Sequence, residues 1–465
     1  MSSRDNREPL LPHQEIGRDW LAARRQAFLA DGMRVGKTRQ AIAAAAKLNA
    51  ERILVVCPSI VRTNWGREFA QHWPHAPTVC VWRTSTPSSD WRTISICSYD
   101  LAIRNSVRSK LGSQTWDVVI LDEAHYLKNP DRQRTCAAYA LAKGARCWRL
   151  SGTPAPNHYG ELYTHLKTAG LWSGSYLDFL DRYCDWYEDK RGNIRVKGNK
   201  NHESLRAVLA PFVLRRKLED VVSELPSMTL ETVVVEPAPV DVSKWFPSVA
   251  LKIDDWSYWQ GKIDEENAAV ASLLKVSGSG AAGVEALAAL QGSRTTTSRR
   301  YVGLQKCAPV AEILTAELLA NEYAKVVVFA WHKDVIRELY TLLQQFYPVT
   351  IFGGTHPIKR DAHVHQFNTK GKCRVFIGQI QAAGVGIDLS VAHEVVFLEQ
   401  SWVPGDNAQA AMRVHHLKQT HPVRVRLFAC ADSVDEQVTS MLKRKTKDLT
   451  ALFDAPTIPV NSPFE

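Results

Sequence analysis

Hydrophobic and polar positions along the chain follow two alternating patterns. Short runs of β-branched and aliphatic residues predict buried strands, and longer stretches with helical periodicity lie between them. This alternation predicts an α/β protein with mainly parallel sheets. In the first half the predicted strands are Ala27–Ala30, Ile53–Cys57, Thr93–Cys97, Val118–Leu121 and Cys147–Leu150. In the second half they are Val326–Phe329, Val375–Ile377, Val395–Leu398 and Val423–Phe428.

A stretch without strand-like runs separates the two halves. Its Ala-rich helical segments, Glu266–Leu274 and Ala281–Leu290, flank a flexible Ser-Gly sequence. The sequence pattern therefore predicts the same kind of sheet twice, once on each side of this stretch. We predict a first lobe over residues 1–235, a helical insert over 236–299 and a second lobe over 300–465.

Composition narrows the class of protein. Apolar residues make up 45% of the 465 positions, yet no run approaches the roughly 18 residues of a membrane span. The polar N-terminus Met1–Pro9 has no secretory signal pattern, and the nine cysteines include no Cys-x-x-Cys pair. These features predict a soluble protein of the cytoplasm with reduced, buried thiols. The net charge of +10 favours a polyanionic partner.

A phosphate-binding sequence follows the first predicted strand. Gly36, Lys37 and Thr38 precede the helical pattern Gln40–Leu48. In such a loop the backbone N–H groups face the phosphates, the lysine reaches the β and γ oxygens, and the threonine hydroxyl holds Mg²⁺. Asp31 stands where the general pattern has its first glycine. An ordinary strand–turn–helix with a surface lysine is therefore the alternative for this motif alone.

A second motif follows Val118–Leu121, which runs directly into Asp122 and Glu123. A carboxylate at this strand end can hold the metal beside Thr38, and Glu123 can polarise the attacking water as general base. Two solvated acids at a strand end are the alternative for this motif alone. The two motifs in this order predict ATP and Mg²⁺ as the ligands.

These motifs and several others resemble those of superfamily-two helicases. The sequence similar to the Q motif is Pro12–Gln14, and Ser151–Asn157 is similar to motif III. The block Phe212–Arg216, with Glu219–Val221 and Glu224–Pro226 after it, resembles the end of the first lobe in the Swi/Snf-type branch. Matches in the second half are Gly353–Thr355, Arg360, Phe367, Ala382–Leu389, Trp402–Pro404 and Gln409–Gln419.

The resemblance covers about residues 10–230 and 300–430, and is nearest to the HepA-related, annealing-helicase group. It implies two RecA-like lobes and ATP-dependent translocation on duplex DNA, usually without strand separation. It further implies that Gln14 reads the adenine edge and that His125 and Thr153 couple the nucleotide site to the DNA site. In the second lobe it implies nucleotide contacts at Gly386 and Asp388, and catalytic roles for Gln409 and Arg413.

Two residues depart from the family pattern. Arg34 replaces a glycine of motif I, where its cation can contact phosphate or point to solvent. His416 stands where the family has its arginine finger. Histidine is shorter and only partly charged near neutral pH, and loss of a finger can cost roughly 10³–10⁵ in rate. We still expect hydrolysis, because Lys37, Asp122 and Glu123 are intact.

Polar residues that follow the predicted strands are candidates for contacts with the DNA backbone. They are Arg62, Asn64, Ser98, Tyr99, Thr355 and Gln381, and an ordinary loop cap is the alternative for each. None suggests recognition of base edges, so binding should be independent of sequence and sensitive to salt. The basic run Lys443–Lys447 has three readings: a solvated helix face, a DNA contact or a nuclear signal.

The sequence therefore predicts an ATP-dependent translocase on double-stranded DNA, acting in DNA repair, replication or fork remodelling. It predicts a monomer without a membrane association, of bacterial or phage origin, with replication or repair proteins as candidate partners and a nuclear location as the alternative. A DNA clamp gated by ATP, with weak or no hydrolysis, is the main rival because of His416. An RNA-directed helicase is the second rival, and Phe212–Arg216 argues against it.

Overall fold

The computed structural model describes residues 9–87, 90–155, 157–189, 192–221, 226–245, 294–383, 387–401, 404–415 and 419–430. These residues form two compact units, one on each of two large parallel sheets. Parallel sheets flanked by helices in two lobes agree with the predicted fold class. Among the described helices, none combines the length and apolar character that crossing a bilayer requires.

The first sheet has seven strands in the order β3-β4-β2-β5-β6-β1-β9, all parallel. Their bounds are β1 Gln26–Leu29, β2 Ile53–Cys57, β3 Val79–Val81, β4 Ile94–Ser98, β5 Val118–Asp122, β6 Arg146–Leu150 and β9 Val213–Leu214. The central strands β2 and β4 are buried along their whole length, as expected for a parallel sheet covered on both faces.

Helices connect the strands of the first sheet. Their bounds are α1 Pro12–Ala22, α2 Lys37–Lys47, α3 Arg62–His72, α4 Tyr99–Ala102, α5 Asn105–Gly112, α6 Gln133–Leu141, α7 Tyr163–Thr168, α8 Tyr176–Tyr183, α9 His202–Leu209 and α10 Leu218–Val221. Between α8 and α9, strands β7 Cys184–Glu188 and β8 Ile194–Asn199 pair with each other as a separate two-stranded sheet.

The second sheet has six parallel strands in the order β10-β15-β14-β11-β13-β12. Their bounds are β10 Met228–Val235, β11 Val326–Ala330, β12 Val349–Ile351, β13 Val375–Gln379, β14 Glu394–Phe397 and β15 Val423–Cys430. The accompanying helices are α11 Val242–Trp245, α12 Arg294–Gln305, α13 Cys307–Leu319, α14 Lys333–Leu342, α15 Pro357–Thr369, α16 Ile380–Ala383 and α17 Pro404–Ala411.

Alternation along β11 shows how this second core is filled. Val326 and Val328 pack on one face with residues of α13 and α14, including Leu314. Val327 packs on the opposite face with residues of α15 and α17, including Phe367. Successive strand residues point to opposite faces, so a continuous run of valines serves two layers of helices.

All nine predicted strands are present, and their bounds differ from the predicted ones by at most two residues. The strands that the sequence pattern missed are short or exposed. One of them, β10, changes the boundary between the two lobes. Residues 228–235, predicted to end the first lobe, pair along their whole length with β15 in the second sheet. The second sheet therefore begins before residue 235. Most of the predicted helical insert, 236–299, lies outside the described residues.

Eight of the nine cysteines are buried, and Cys136 is exposed. Buried thiols were expected because several lie in strand-like runs. Burial raises the pKa of Cys57 well above its ordinary value, so this thiol stays protonated at neutral pH.

A buried ionic network lies on the second sheet around Arg426. Its Nε donates to Glu394 at 2.5 Å, and its two terminal nitrogens donate to the carboxylate of Glu317 at 2.6 and 2.7 Å. Arg424 donates to the second oxygen of Glu394 at 2.8 Å. Arg426 and Glu394 are almost completely buried. The paired charges stabilise each other only as long as the whole network is present.

We predict that Arg426→Met lowers the free energy of unfolding of this unit by about 3–5 kcal/mol, because it leaves buried carboxylates without their partner. Urea denaturation followed by circular dichroism measures the change. The control is Arg337→Met, which removes an exposed arginine that pairs with Asp334 at 3.0 Å and should cost less than about 1 kcal/mol. Equal losses in the two variants would contradict the prediction.

Candidate functional site

The loop between β1 and α2 has the backbone of a phosphate-binding loop. Gly36 lies in the left-handed region at φ +86°, and α2 begins at the next residue, Lys37. The left-handed backbone favours glycine at this position, and a Cβ there would stand 2.4 Å from Nε2 of Gln14 and displace the end of that side chain. The first N–H groups of α2 have no partner within the helix and are suited to bind phosphate.

Arg34 lies in the same loop and also has a left-handed backbone, at φ +66°. Such a conformation costs about 1–2 kcal/mol for a residue with a side chain. The glycine that the family has at this position is therefore explained by the backbone. This protein accepts the strain and places a cation in the loop instead.

Lys37 lies between the phosphate loop and a group of carboxylates. Its ammonium donates to the backbone oxygens of Asp31 and Gly32, both at 2.9 Å. Burial lowers the pKa of Lys37, whereas the nearby carboxylates of Glu123, Asp31 and Asp122 act in the opposite direction. The structure thus brings the lysine of the first motif together with both acids of the second.

Asp122 is oriented by three hydrogen bonds. Its Oδ1 accepts from the backbone N–H of Glu123 at 3.0 Å, and its Oδ2 accepts from the indole Nε1 of Trp65 at 2.8 Å. Its backbone oxygen accepts from the hydroxyl of Tyr99 at 2.7 Å. Burial and the neighbouring Glu123 raise the pKa of Asp122 to about 6. A cation beside this carboxylate would favour its ionised form.

Thr38 and Asp122 offer oxygen ligands of the kind that Mg²⁺ prefers. Thr38 lies in the first turn of α2, after the lysine. Mg²⁺ is typically held by one or two carboxylates together with phosphate oxygens and waters, rather than by a cage of protein ligands. Each oxygen of the Asp122 carboxylate keeps a free lone pair beside its hydrogen bond. The donor set therefore fits a magnesium ion bound together with a nucleotide.

A chain of polar contacts leads from Glu123 to the loop after β6. The carboxylate of Glu123 lies 3.3 Å from Nδ1 of His125, and this nitrogen lies 2.9 Å from the hydroxyl of Ser151. The same hydroxyl accepts from the backbone N–H of Thr153 at 3.1 Å. The contacts connect the acid predicted as general base to the loop of Ser151–Asn157; the coupling role of His125 and Thr153 stays a prediction.

Arg216 explains why the first glycine of the general phosphate-loop pattern is Asp31 here. The guanidinium of Arg216 donates to both carboxylate oxygens of Asp31, at 3.0 and 2.5 Å, and Asp31 is fully buried. It also donates to the side chain of Gln40 at 2.8 Å. Arg215 donates to the backbone oxygen of Ala30 at 3.1 Å. The paired arginines after β9 thus anchor both ends of the phosphate loop, a role that sequence reasoning missed.

Gln14 is buried, and its Oε1 accepts from the backbone N–H of Leu11 at 3.2 Å. The side chain is therefore not solvated, although it lies at the start of a helix. Its amide nitrogen lies beside Gly36, so the side chain stands at the nucleotide loop. This position agrees with a role in recognising the nucleotide.

In the second unit, the structure brings together two of the helicase-like sequences, Ala382–Leu389 and Gln409–Gln419. The backbone N–H of Leu389 donates to the backbone oxygen of Arg413 at 3.0 Å. Oδ1 of Asp388 accepts from the N–H of Ser390, also at 3.0 Å. Gln409 is half-buried on α17. Two further residues of these motifs, Gly386 and His416, lie outside the described residues.

Three of the predicted DNA contacts in the first unit already use a polar group inside the fold. Ser98 is buried and caps α4, accepting from the N–H of Leu101 at 3.3 Å. Tyr99 is buried as well, with its hydroxyl on Asp122. A direct DNA contact is therefore not supported for these two side chains, because their polar groups are used inside the fold. The third residue, Arg62, donates to the backbone oxygen of Ser59 at 3.1 Å.

Three predicted DNA contacts stay accessible. Asn64 is half-buried near the start of α3, and Gln381 is exposed on α16. Thr355 is half-buried, and its hydroxyl accepts from the N–H of Phe352 at 3.1 Å in the turn before α15. The basic run Lys443–Lys447 lies outside the described residues.

Comparison with known protein families decides the assignment. A model of the SNF2-related domain matches residues 13–280, more than half of the chain, and a model of the helicase conserved C-terminal domain matches residues 308–418. The chain belongs to the SNF2-related family. The predicted Swi/Snf-type resemblance is thereby confirmed.

Curated relatives of this SNF2-related protein match nearly its whole length. The SWI/SNF-related matrix-associated actin-dependent regulator of chromatin subfamily A-like protein 1 of Xenopus tropicalis is 32% identical over 452 residues, 95% of this chain and 44% of the relative. The DNA annealing helicase and endonuclease ZRANB3 of Homo sapiens is 27% identical over 457 residues, 95% of this chain and 40% of the relative. The chain thus spans less than half the length of these two relatives.

A solved structure is also similar to the SNF2-related chain. The Sulfolobus solfataricus SWI2/SNF2 ATPase core in complex with dsDNA is 22% identical, with a TM-score of 0.43. The match covers 97% of this chain and 94% of that one.

We predict that Arg34→Gly is more stable than Arg34→Ala by about 1 kcal/mol, because only glycine relieves the left-handed backbone. Both variants lose the cation, so their difference isolates the backbone strain. Urea denaturation measures the two free energies of unfolding. A more stable alanine variant would show that position 34 does not hold a left-handed backbone in solution.

Proposed function

We propose that this SNF2-related chain is an ATPase that translocates along double-stranded DNA. The observation that carries the proposal is the meeting of Lys37 with Asp122 and Glu123 at one edge of the first sheet. A lysine, a metal-binding carboxylate and a second carboxylate are the groups that phosphoryl transfer from ATP to water requires. Membership of the SNF2-related family supports the same activity.

Within the first unit, each residue has a proposed role. Gln14 recognises the adenine, and the backbone at Gly36 holds the phosphates. Lys37 stabilises the negative charge that develops on the β and γ oxygens, and Glu123 orients the attacking water and accepts its proton. Bound Mg²⁺, held by Thr38 and Asp122, would neutralise charge on the phosphates.

The second unit is proposed to complete the reaction. Arg413 and Gln409 would contact the phosphates in the closed state, and Gly386 and Asp388 would contribute further nucleotide contacts. Closure and reopening during each ATP cycle would alternate the grip on one DNA strand, which produces movement along the duplex. The proposed tracking contacts are Asn64, Thr355 and Gln381.

Several observations support duplex DNA as the substrate. The net charge of +10 suits a polyanion. One relative, ZRANB3 of Homo sapiens, is named as a DNA annealing helicase and endonuclease. The contacts are proposed to be with the DNA backbone rather than with base edges, so binding should not depend on sequence. Action in DNA repair, replication or fork remodelling, as a monomer, belongs to the same proposal.

An ATP-gated DNA clamp is the second candidate function. The observation that favours it is His416 at the position of the family's arginine finger. A histidine cannot present the planar fork of an arginine to a phosphate. The clamp would bind ATP and DNA but hydrolyse slowly.

The test is ATP turnover without nucleic acid and with single-stranded DNA, duplex DNA or RNA. Duplex DNA should give the largest stimulation, and Glu123→Gln should lower the stimulated rate by roughly 10²–10⁴, the usual contribution of a general base. Glu51→Gln is the control, because Glu51 is an exposed acid of the same unit. ATP-dependent DNA binding without turnover would favour the clamp, and stimulation mainly by RNA would favour the RNA-directed helicase.

We further predict that His416→Arg raises the rate of turnover stimulated by DNA by roughly ten-fold or more, because it supplies the missing finger. His421→Arg is the matched control, since His421 is exposed and the change adds the same charge. Steady-state ATP hydrolysis at saturating DNA measures both. An unchanged rate in His416→Arg would mean that another cation already serves this step.

A further inference from the structure

Trp65 connects a proposed DNA-contacting helix to the metal-binding carboxylate. It lies on α3, directly after Asn64, and only 1% of its surface is exposed. Its indole Nε1 donates to Oδ2 of Asp122 at 2.8 Å, and its ring packs against Phe69 of the same helix with 6.1 Å between the ring centres. A shift of α3 would therefore move the donor that orients this carboxylate.

A second contact reaches Asp122 from the neighbouring strand end. Tyr99 of α4 is 4% exposed, and its hydroxyl donates to the backbone oxygen of Asp122 at 2.7 Å. In the sheet, β4 lies beside β2, and β2 lies beside β5. The helices α3 and α4, which follow β2 and β4, thus hold the end of β5. One hydrogen bond reaches the side chain of Asp122 and the other its backbone oxygen.

The acceptor chosen by Trp65 is not a general consequence of burying an indole. A buried indole N–H needs an acceptor, but Trp116 donates to the backbone oxygen of Leu111 at 2.9 Å. Trp148 donates to the backbone oxygen of Arg24 at 3.1 Å. These neutral backbone oxygens suffice for burial. Trp65 uses the carboxylate proposed to hold the metal, where a charge-assisted bond is stronger and fixes orientation.

We propose that Trp65 is a positioning residue through which contact of α3 with DNA sets the orientation of the Asp122 carboxylate and so activates ATP turnover. The inference rests on the proposed function. It assigns the coupling between the proposed DNA site and the proposed nucleotide site to the hydrogen bond from Trp65 to Asp122. Tyr99 holds the backbone of Asp122 in place, so that movement of α3 changes the carboxylate rather than the strand. An indole N–H can only donate, so the bond has one geometry.

The test compares Trp65→Phe with Trp116→Phe, which removes a buried indole N–H that donates to a backbone oxygen just before β5, at the opposite end of that strand from Asp122. The measurements are kcat and KM for ATP at saturating duplex DNA, kcat without DNA, the Mg²⁺ concentration for half-maximal turnover, and DNA affinity by fluorescence anisotropy. In Trp65→Phe, stimulation by DNA should fall about ten-fold, because one charge-assisted hydrogen bond is lost. The Mg²⁺ requirement should rise several-fold, with KM for ATP and DNA affinity little changed.

Either of two results for Trp65→Phe would overturn the inference. Trp65→Phe could match Trp116→Phe in every measurement, or it could lose DNA affinity while keeping full stimulation at saturating DNA. A wild-type protein without any stimulation by DNA would instead remove the proposed function itself, and the inference with it. Should Trp65→Phe not fold, Tyr99→Phe removes a single hydroxyl and should raise the Mg²⁺ requirement in the same direction. An unchanged requirement in that folded variant would also count against the coupling.

Discussion

Parallel pairing of β5, β6 and β1 is the constraint on which the candidate site depends. In register, Leu29 lies beside Leu150, and Leu150 lies beside Asp122. Because all three strands run in one direction, the phosphate loop, the Ser151 loop and the two acids leave the sheet at the same edge. Residues that are far apart in sequence, such as Lys37 and Asp122, become neighbours through backbone pairing before any side-chain contact is considered.

Burial of charge is the second requirement of this edge. Lys37 loses water on burial, which lowers its pKa, and three carboxylates compensate in part. Asp31 is buried completely, and the bidentate hydrogen bonds from the guanidinium of Arg216 balance its charge. Such pairs add little net stability but are costly to break, so they define one arrangement of the loop. The segment that follows β9 is thereby bonded to the phosphate loop.

The two departures from the family pattern, Arg34 and His416, differ in kind. Arg34 is strained where glycine would not be, and a strained backbone in a phosphate loop is typical of a functional position. His416 lies outside the described residues, and its departure is one of side-chain chemistry at the position of the proposed finger. One departure thus concerns the shape of the first unit, whereas the other concerns the charge that the second unit can supply.

The sequence by itself determined the nine main strands, the phosphate loop and the family, because buried runs and glycine-rich turns are local patterns. It could not place β10 in the second sheet, because the residues of this strand are mostly exposed and pair with residues almost two hundred positions later. It also assigned Ser98 and Tyr99 to DNA, since a polar residue at a strand end is equally suited to a cap. Only the tertiary structure decided that Trp65 orients Asp122, because that hydrogen bond joins elements whose proximity is set by strand order rather than by sequence.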